Sequence, residues 1–218
     1  SSSAASDVYK RQCVRYADDC VLLFKSERSA LRVKETVTRY LEEKLYVKVN
    51  QEKTTVAYIT KIKFLGFGFY IEKSDNVRVT VHKKTKEKMK KRIREITKRN
   101  RPISSIQLSY ELELFIRGWV NYYKIADMKK FLKETDEWSR RRIRMIYWKR
   151  WKRIRTRYRN LQKLGINKPK AWEWANTRKS YWRISISNSF ILTRALTNDR
   201  LKSWGFISAL DYYNSINL

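Results

Sequence analysis

The sequence predicts an α+β fold whose two classes are segregated along the chain, with a small mixed sheet first and helices after it. Three observations lead there. Short β-prone runs bounded by turn residues fill residues 13–81. From Lys83 onward, apolar residues instead recur at steps of three and four. Hydrophobic residues make up 42% of the chain and aromatics 14%, enough for a folded core despite a formal net charge of +30.

The first element is a hairpin. Cys13-Val14-Arg15 and Val21-Leu22-Leu23-Phe24 flank Tyr16-Ala17-Asp18-Asp19, a tight polar pair between two apolar runs. Adjacent carboxylates point apart in a strand but can lean toward one point at a turn. Two acids so placed suit a hard divalent cation such as Mg²⁺, which takes one or two carboxylates plus substrate phosphates. Two-metal nucleotidyl transfer uses such an arrangement. Asp is also simply a good turn residue.

Ser26 is placed to cap a helix running to about Leu45, with Ala30, Val33, Val37, Leu41 and Leu45 on one face. Residues 46–49 and 55–59 read as strands joined by Asn50-Gln51-Glu52-Lys53. Residues 64–71 form a further strand, paired with 77–81 across Ser74-Asp75-Asn76. Gly66-x-Gly68 opens no helix and is no dinucleotide fingerprint; such glycines mark a close backbone approach or a bulge.

Residues 83–100 read as one helix, with Met89, Ile93 and Ile96 inward, ended by Arg101-Pro102. Ser104 and Gln107 make a capping box for a second helix. Its stripe is Leu108, Leu112, Phe115, Trp119 and Tyr122, and Gly118 inside it hints at a close contact. The third helix is expected from Asp136 to Leu161, with Ile143, Tyr147, Trp151, Ile154, Tyr158 and Leu161 on one stripe. Three such helices imply a small bundle. The tail reads as short helices punctuated by Pro169, Ser187-Asn188-Ser189 and Gly205.

With 51 Lys+Arg against 21 Asp+Glu, the chain repels itself unless a polyanion is present, so nucleic acid is the expected partner. The two cysteines, Cys13 and Cys20, match no metal spacing and no disulfide framework. They read as reduced packing residues in a cytoplasmic protein, bacterial or organellar, with no disulfide-linked partner. The single histidine, His82, reads as a solvated strand end and excludes a His-rich metal or nuclease site. No apolar run approaches the ~20 residues that span a bilayer, so no membrane partner is expected. Residues 1–12 share no periodicity with the rest and resemble translated adapter sequence. They are set aside as a non-native or unstructured leader, which would place the natural start upstream of Cys13.

The third helix is the expected binding surface. Eleven Lys/Arg and no acid lie between Arg140 and Arg159, with Trp148 among them. Basic residues interleaved with aromatics supply phosphate neutralisation and base stacking. The candidate RNA-binding residues are Arg140, Arg141, Arg144, Trp148, Lys149, Lys152, Arg153 and Arg155.

Tyr16-Ala17-Asp18-Asp19, then Asn50-x-x-Lys53-Thr54, then Phe64-Leu65-Gly66-Phe67, then Phe115-Ile116-Arg117-Gly118-Trp119-Val120-Asn121-Tyr122-Tyr123 form a series. In order and spacing it resembles the group II intron reverse transcriptase/maturase family. The resemblance implies that residues 13–81 are the C-terminal part of a polymerase palm. Residues 82–160 are then the thumb or maturase (X) domain, and 161–218 a basic, aromatic-rich extension. It implies that Asp18 is the principal metal ligand, Asp19 its neighbour, and Lys53 a catalytic lysine near the incoming nucleotide. Phe64, Leu65, Gly66 and Phe67 would form the primer grip. The implied cofactor is Mg²⁺ in a two-metal site, and the implied partners are intron RNA and an RNA/DNA primer-template. The family's other metal-binding aspartate has no counterpart in this sequence, so the chain is expected to be inactive alone.

The function expected is therefore RNA binding that assists splicing and, in a complete parent, RNA-templated DNA synthesis for intron mobility. A non-catalytic RNA-binding maturase module and a general basic nucleic-acid-binding protein are the alternatives.

Overall fold

A computed structural model describes residues 12–186 and 190–217. Most of the leader, residues 1–11, and the Ser187-Asn188-Ser189 break lie outside the described residues. The chain forms two compact units, one ending at His82 and the other beginning at Lys83.

In the first unit, β1 (Gln12–Tyr16) and β2 (Asp19–Leu23) pair antiparallel, from Gln12 opposite Leu23 to Tyr16 opposite Asp19. The two-residue turn is therefore Ala17-Asp18, and Ala17 supplies the positive φ of 50° that such turns need. Helix α1 (Glu27–Glu43) starts where Ser26 accepts a hydrogen bond from the Ser29 amide at 3.3 Å.

The strands expected at 46–49 and 55–59 do not form. A strand needs a neighbouring edge, and around the first of these segments the amides bond locally instead. Val47 N–H donates to Leu41 O at 2.9 Å, Tyr46 sits at φ 53°, and Asn50 accepts from Lys53 and Thr54. A short 3₁₀ turn, Ile59–Lys61, follows.

The strand expected over 64–71 is shorter. β3 (Phe67–Ile71) pairs with β4 (Val77–Val81), Phe67 opposite Val81. Phe64 and Phe67 bond to each other across Leu65-Gly66, both at positive φ (50° and 87°), which is the pattern of a type I′ turn. Gly68 shows neither the expected close approach nor a bulge: a Cβ there would lie 3.5 Å from the His82 Cα, an ordinary contact, and the β3–β4 register runs through it unbroken.

The second unit opens with α2 (Lys83–Ile96), which buries Met89, Ile93 and Ile96 as expected. It ends four residues before the anticipated Asn100, because its last turn is capped by side chains. Thr97 Oγ1 donates to Ile93 O at 2.6 Å, and Arg101 Nη1 to Ile96 O at 3.0 Å.

Helix α3 (Ser105–Tyr123) is capped by Ser104, which accepts from the Gln107 amide at 3.0 Å. Half the capping box forms, since the Gln107 side chain turns to Glu111. The buried stripe is Leu108, Leu112, Ile116 and Val120. Phe115 and Trp119 are half-buried and Tyr122 is exposed, so the expected aromatic stripe lies beside the core. There Trp119 packs on Tyr123 at 4.6 Å and Phe131 at 6.0 Å. Gly118 faces open space, with no close contact.

The expected third helix is two helices, α4 (Lys129–Arg150) and α5 (Ile154–Lys163), broken at Trp151-Lys152-Arg153. No Gly or Pro marks the break. Trp151 leaves helical geometry at ψ 58° and accepts a hydrogen bond from Arg157 Nε at 2.9 Å. Its ring is buried beside Tyr147 and Trp148. Burying that indole outweighs continuing the helix, and the apolar stripe survives across two rods. Ile154 alone is displaced from it, at 46% exposed.

α5 ends at Gly165, whose φ of 83° allows the left-handed C-cap and a hydrogen bond from Ile166 N–H to Leu161 O. α6 (Lys168–Ala175) is capped by Asn167, with Pro169 in its first turn, where a missing N–H costs nothing. Pro169 therefore begins a helix. α7 (Tyr181–Ile184), α8 (Phe190–Ala195), α9 (Asn198–Ser203) and α10 (Ala209–Ile216) complete the chain. The described residues from Leu161 onward belong to the same compact unit as α2–α4. Leu161, Leu192, Leu196 and Leu201 are fully buried, each contributing about 1.5–3 kcal/mol. The Tyr213 hydroxyl donates to Ala126 O at 3.0 Å.

Candidate functional site

In the first unit, the β1–β2 hairpin presents the carboxylates. Asp18 occupies the turn and Asp19 opens β2, and both side chains are exposed. Arg15 Nε donates to Ala17 O at 3.0 Å and braces the turn. Cys13 and Cys20 are free thiols that share a hydrogen bond, Sγ to Sγ 3.5 Å; burial, then that bond, raises the Cys20 thiol. No group of three or more His, Cys, Asp or Glu that could hold a metal occurs among the described residues. Asp18 and Asp19 would be two ligands of a set completed by phosphates and water, which fits the habits of Mg²⁺.

Lys53 is exposed in the turn after α1, with its amide held by Asn50 Oδ1 at 3.1 Å. Phe64, Leu65, Gly66 and Phe67 are the tight turn that leads into β3. Gly66 O accepts from His82 N–H at 3.0 Å.

In the second unit, the basic run divides by burial. Arg142 and Arg144 point inward, at 8% and 7% exposed. Arg142 Nε donates to Thr97 Oγ1 at 2.6 Å, and its Nη2 to Thr97 O and Arg94 O, so it holds the end of α2. Arg144 donates to Leu196 O and Asn198 Oδ1, both at 2.9 Å. Burial, then Arg140 beside it, pulls the Arg144 guanidinium down to about 10, so it stays charged at neutral pH.

Trp148 is 1% exposed, with Arg157 stacked over its ring at 4.7 Å. It is a core residue with no face open to a base. Arg140, Arg141 and Lys149 are half-buried; Arg141 lies 5.8 Å from the Trp182 ring, and Lys149 bonds to Asn100. Lys152, Arg153, Arg155 and Arg159 are exposed.

Two family models match the chain. One, described as reverse transcriptase (RNA-dependent DNA polymerase), matches residues 2–69. The other, described as group II intron, maturase-specific domain, matches residues 86–165. Between them they account for more than half of the sequence. The chain belongs to the group II intron reverse transcriptase/maturase family. No curated protein matches it.

The polymerase match ends inside β3 and so includes Asp18, Asp19, Lys53 and Phe64–Phe67. The maturase-specific match covers α2 to α5, from Lys86 to Gly165, and so includes the whole basic run. Reverse transcriptases are metal-dependent polymerases. No described helix of the chain is long and apolar enough to cross a membrane.

Sequence reasoning passed over two residues that the structure brings forward. Asp136 read only as a helix start, yet it is buried and accepts three hydrogen bonds. Trp172 read as one of several tail aromatics, yet it is 59% exposed on a basic helix. Neither carries a local signal, because burial is decided by elements distant in sequence.

Proposed function

We propose that this chain binds group II intron RNA through its helical unit to assist splicing, and that its hairpin unit supplies Asp18 and Asp19 to RNA-templated DNA synthesis. The observation carrying the first part is the maturase-specific match lying over α4 and α5, where exposed Lys152, Arg153, Arg155 and Arg159 face solvent with no acid between them. Such a face binds polyanions, and its unmixed sign is unusual for a surface built for solubility alone.

The second part rests on the exposed carboxylates at a hairpin turn inside the polymerase match. Asp18 and Asp19 would hold Mg²⁺, which when bound neutralises charge on the reacting phosphates. Lys53 and the turn Phe64–Phe67 would contact incoming nucleotide and primer. The chain's own part is to hold two carboxylates at a braced turn, ready for the ion.

Two measurements test this. The chain should bind an intron transcript more tightly than an unrelated structured RNA of equal length at the same salt. Equal affinity would favour a general basic nucleic-acid-binding protein. Iron(II) substituted for Mg²⁺ should cleave the backbone near Asp18 with peroxide. Asp18→Asn with Asp19→Asn should abolish that cleavage while leaving RNA binding intact. Cleavage that persists in the double variant would place the metal elsewhere.

A further inference from the structure

The chain has eight tryptophans, and their surroundings differ sharply. Trp138, Trp148 and Trp182 each lie under an arginine of the chain itself. Trp151 is buried, and Trp204 packs on Tyr147 at 5.2 Å. Trp172 is different. It is the most open of the eight, at 59% exposed, and no cation of the described residues covers it. It is held on one side by Tyr158, ring centroids 5.8 Å apart and nearly perpendicular. That contact fixes α6 against α5 and orients the indole while leaving it accessible.

The chain leading up to it carries charge of one sign, and the exposed Glu173 follows it directly. From Trp138 to Trp172 there are fourteen Lys and Arg and no acid. Lys168 precedes Trp172 by four residues on α6, and Arg155 precedes Tyr158 by three on α5, so each cation shares a helix face with its ring. Arg155, Arg159, Lys168 and Lys170 are exposed, and no ion pair engages them among the described residues. An oriented, open indole flanked by uncommitted cations matches an unpaired nucleotide, which offers a π-face and a phosphate together. A duplex buries its base faces and offers only phosphates.

We propose that Trp172 is a stacking platform for an unpaired base of bound RNA, with Arg155 and Lys168 holding the flanking phosphates. This rests on the RNA-binding reading above and adds the class of RNA segment recognised, which is single-stranded.

The test uses the 218-residue chain with two probes, an oligouridylate and a fully paired RNA duplex. Trp172→Ala should weaken oligouridylate binding by about 5- to 150-fold, the loss of one stacked base. It should leave the salt slope unchanged, since no phosphate contact is removed. Trp172→Phe should restore most of the affinity, and duplex binding should change in neither variant. A cross-link from 5-iodouridine should map to Trp172. Unchanged oligouridylate affinity in Trp172→Ala would overturn the proposal, as would an equal loss on duplex or a reduced salt slope. Dissociation of a dimer by Trp172→Ala in sedimentation would assign the indole to a second copy and overturn it too. If replacing Arg155, Arg159 and Lys168 with Gln weakens binding while Trp172→Ala does not, only stacking fails. If neither set matters, the RNA-binding reading fails for this face.

Discussion

The carboxylate of Asp136 accepts the Ser208 hydroxyl at 2.8 Å, although the two residues are far apart in the chain. The same carboxylate accepts the amides of Ala209 at 2.9 Å and Leu210 at 3.0 Å. Asp136 on α4 therefore acts as a second N-cap for α10, beside Ser208, which accepts from the Asp211 amide at 3.2 Å. The C-terminal helix is fastened to the bundle by a buried polar contact as well as by apolar packing.

Asp136→Ala should accordingly destabilise the helical unit by about 2–4 kcal/mol, because it strands buried donors at a helix start. Ser208→Ala leaves both amide bonds in place and should cost about 1 kcal/mol. Urea titration followed by circular dichroism would read both, and equal effects from the two variants would contradict the capping role.

Arg142 should not tolerate lysine. Its planar fork reaches a hydroxyl and two carbonyls at the end of α2, and an ammonium cannot span them. Arg142→Lys should lower stability by about 1.5–3 kcal/mol. Arg155→Lys, at an exposed position, should stay within about 0.5 kcal/mol of wild type. Matching losses from the two swaps would show that charge alone matters at Arg142.

Alkaline pH should remove a stabilising contribution that three phenols make to the helical unit. Burial raises the phenols of Tyr123, Tyr147 and Tyr213 above their ordinary value near 10. The folded state keeps those protons where the unfolded chain gives them up. Their contribution is thus complete below about pH 10 and is lost as pH rises through the folded values. Arg144, lowered by burial to about 10, works in the opposite sense, since above that pH the folded chain sheds a proton that the unfolded chain retains. Burial lowers Lys86, Arg142 and Arg157 in that same sense, so the phenols are read by difference, against a variant with Phe at positions 123, 147 and 213. Relative to that variant, the urea midpoint of the wild type should fall as pH rises above about 10, with phenolate absorbance rising in step. A constant or rising midpoint would refute it.

Replacing Lys152, Arg153, Arg155 and Arg159 with Gln should weaken RNA binding and flatten the slope of log K against log salt. Each lost phosphate contact should account for about 0.7–0.9 of that slope. The unfolding midpoint should hardly move, because all four side chains are exposed. A normal slope with reduced affinity would mean that these cations shape the surface without meeting phosphates.

Much of the fold was legible where one element decides its own conformation. Ser26 and Ser104 capped as read, and Met89, Ile93 and Ile96 turned inward. Asp18 fell in its turn, with Asp19 opening the next strand. Legibility failed where a partner decides. Residues 46–49 have strand composition but no edge to join. Phe64 was taken into a strand because left-handed φ at Leu65 is invisible in a propensity. Trp148 and Arg144 sit in a run whose composition says surface, yet both are core: the tail accepts from Arg144 at Leu196 O, and Trp151 and Arg157 lie against Trp148. On the site, composition located the basic segment, but it could not say which cations the protein uses itself.

The break at Trp151 therefore separates two sets of demands within one basic run. Before it, at Arg142 and Arg144, the shape of the guanidinium is what the fold requires, and a cation of different geometry is as disruptive as a neutral residue. After it, from Lys152 to Arg159, the sign of the charge is the main requirement at the exposed positions, and lysine and arginine should interchange freely. A bend of three residues thus decides where drift between the two basic amino acids is tolerated and where it unravels the protein.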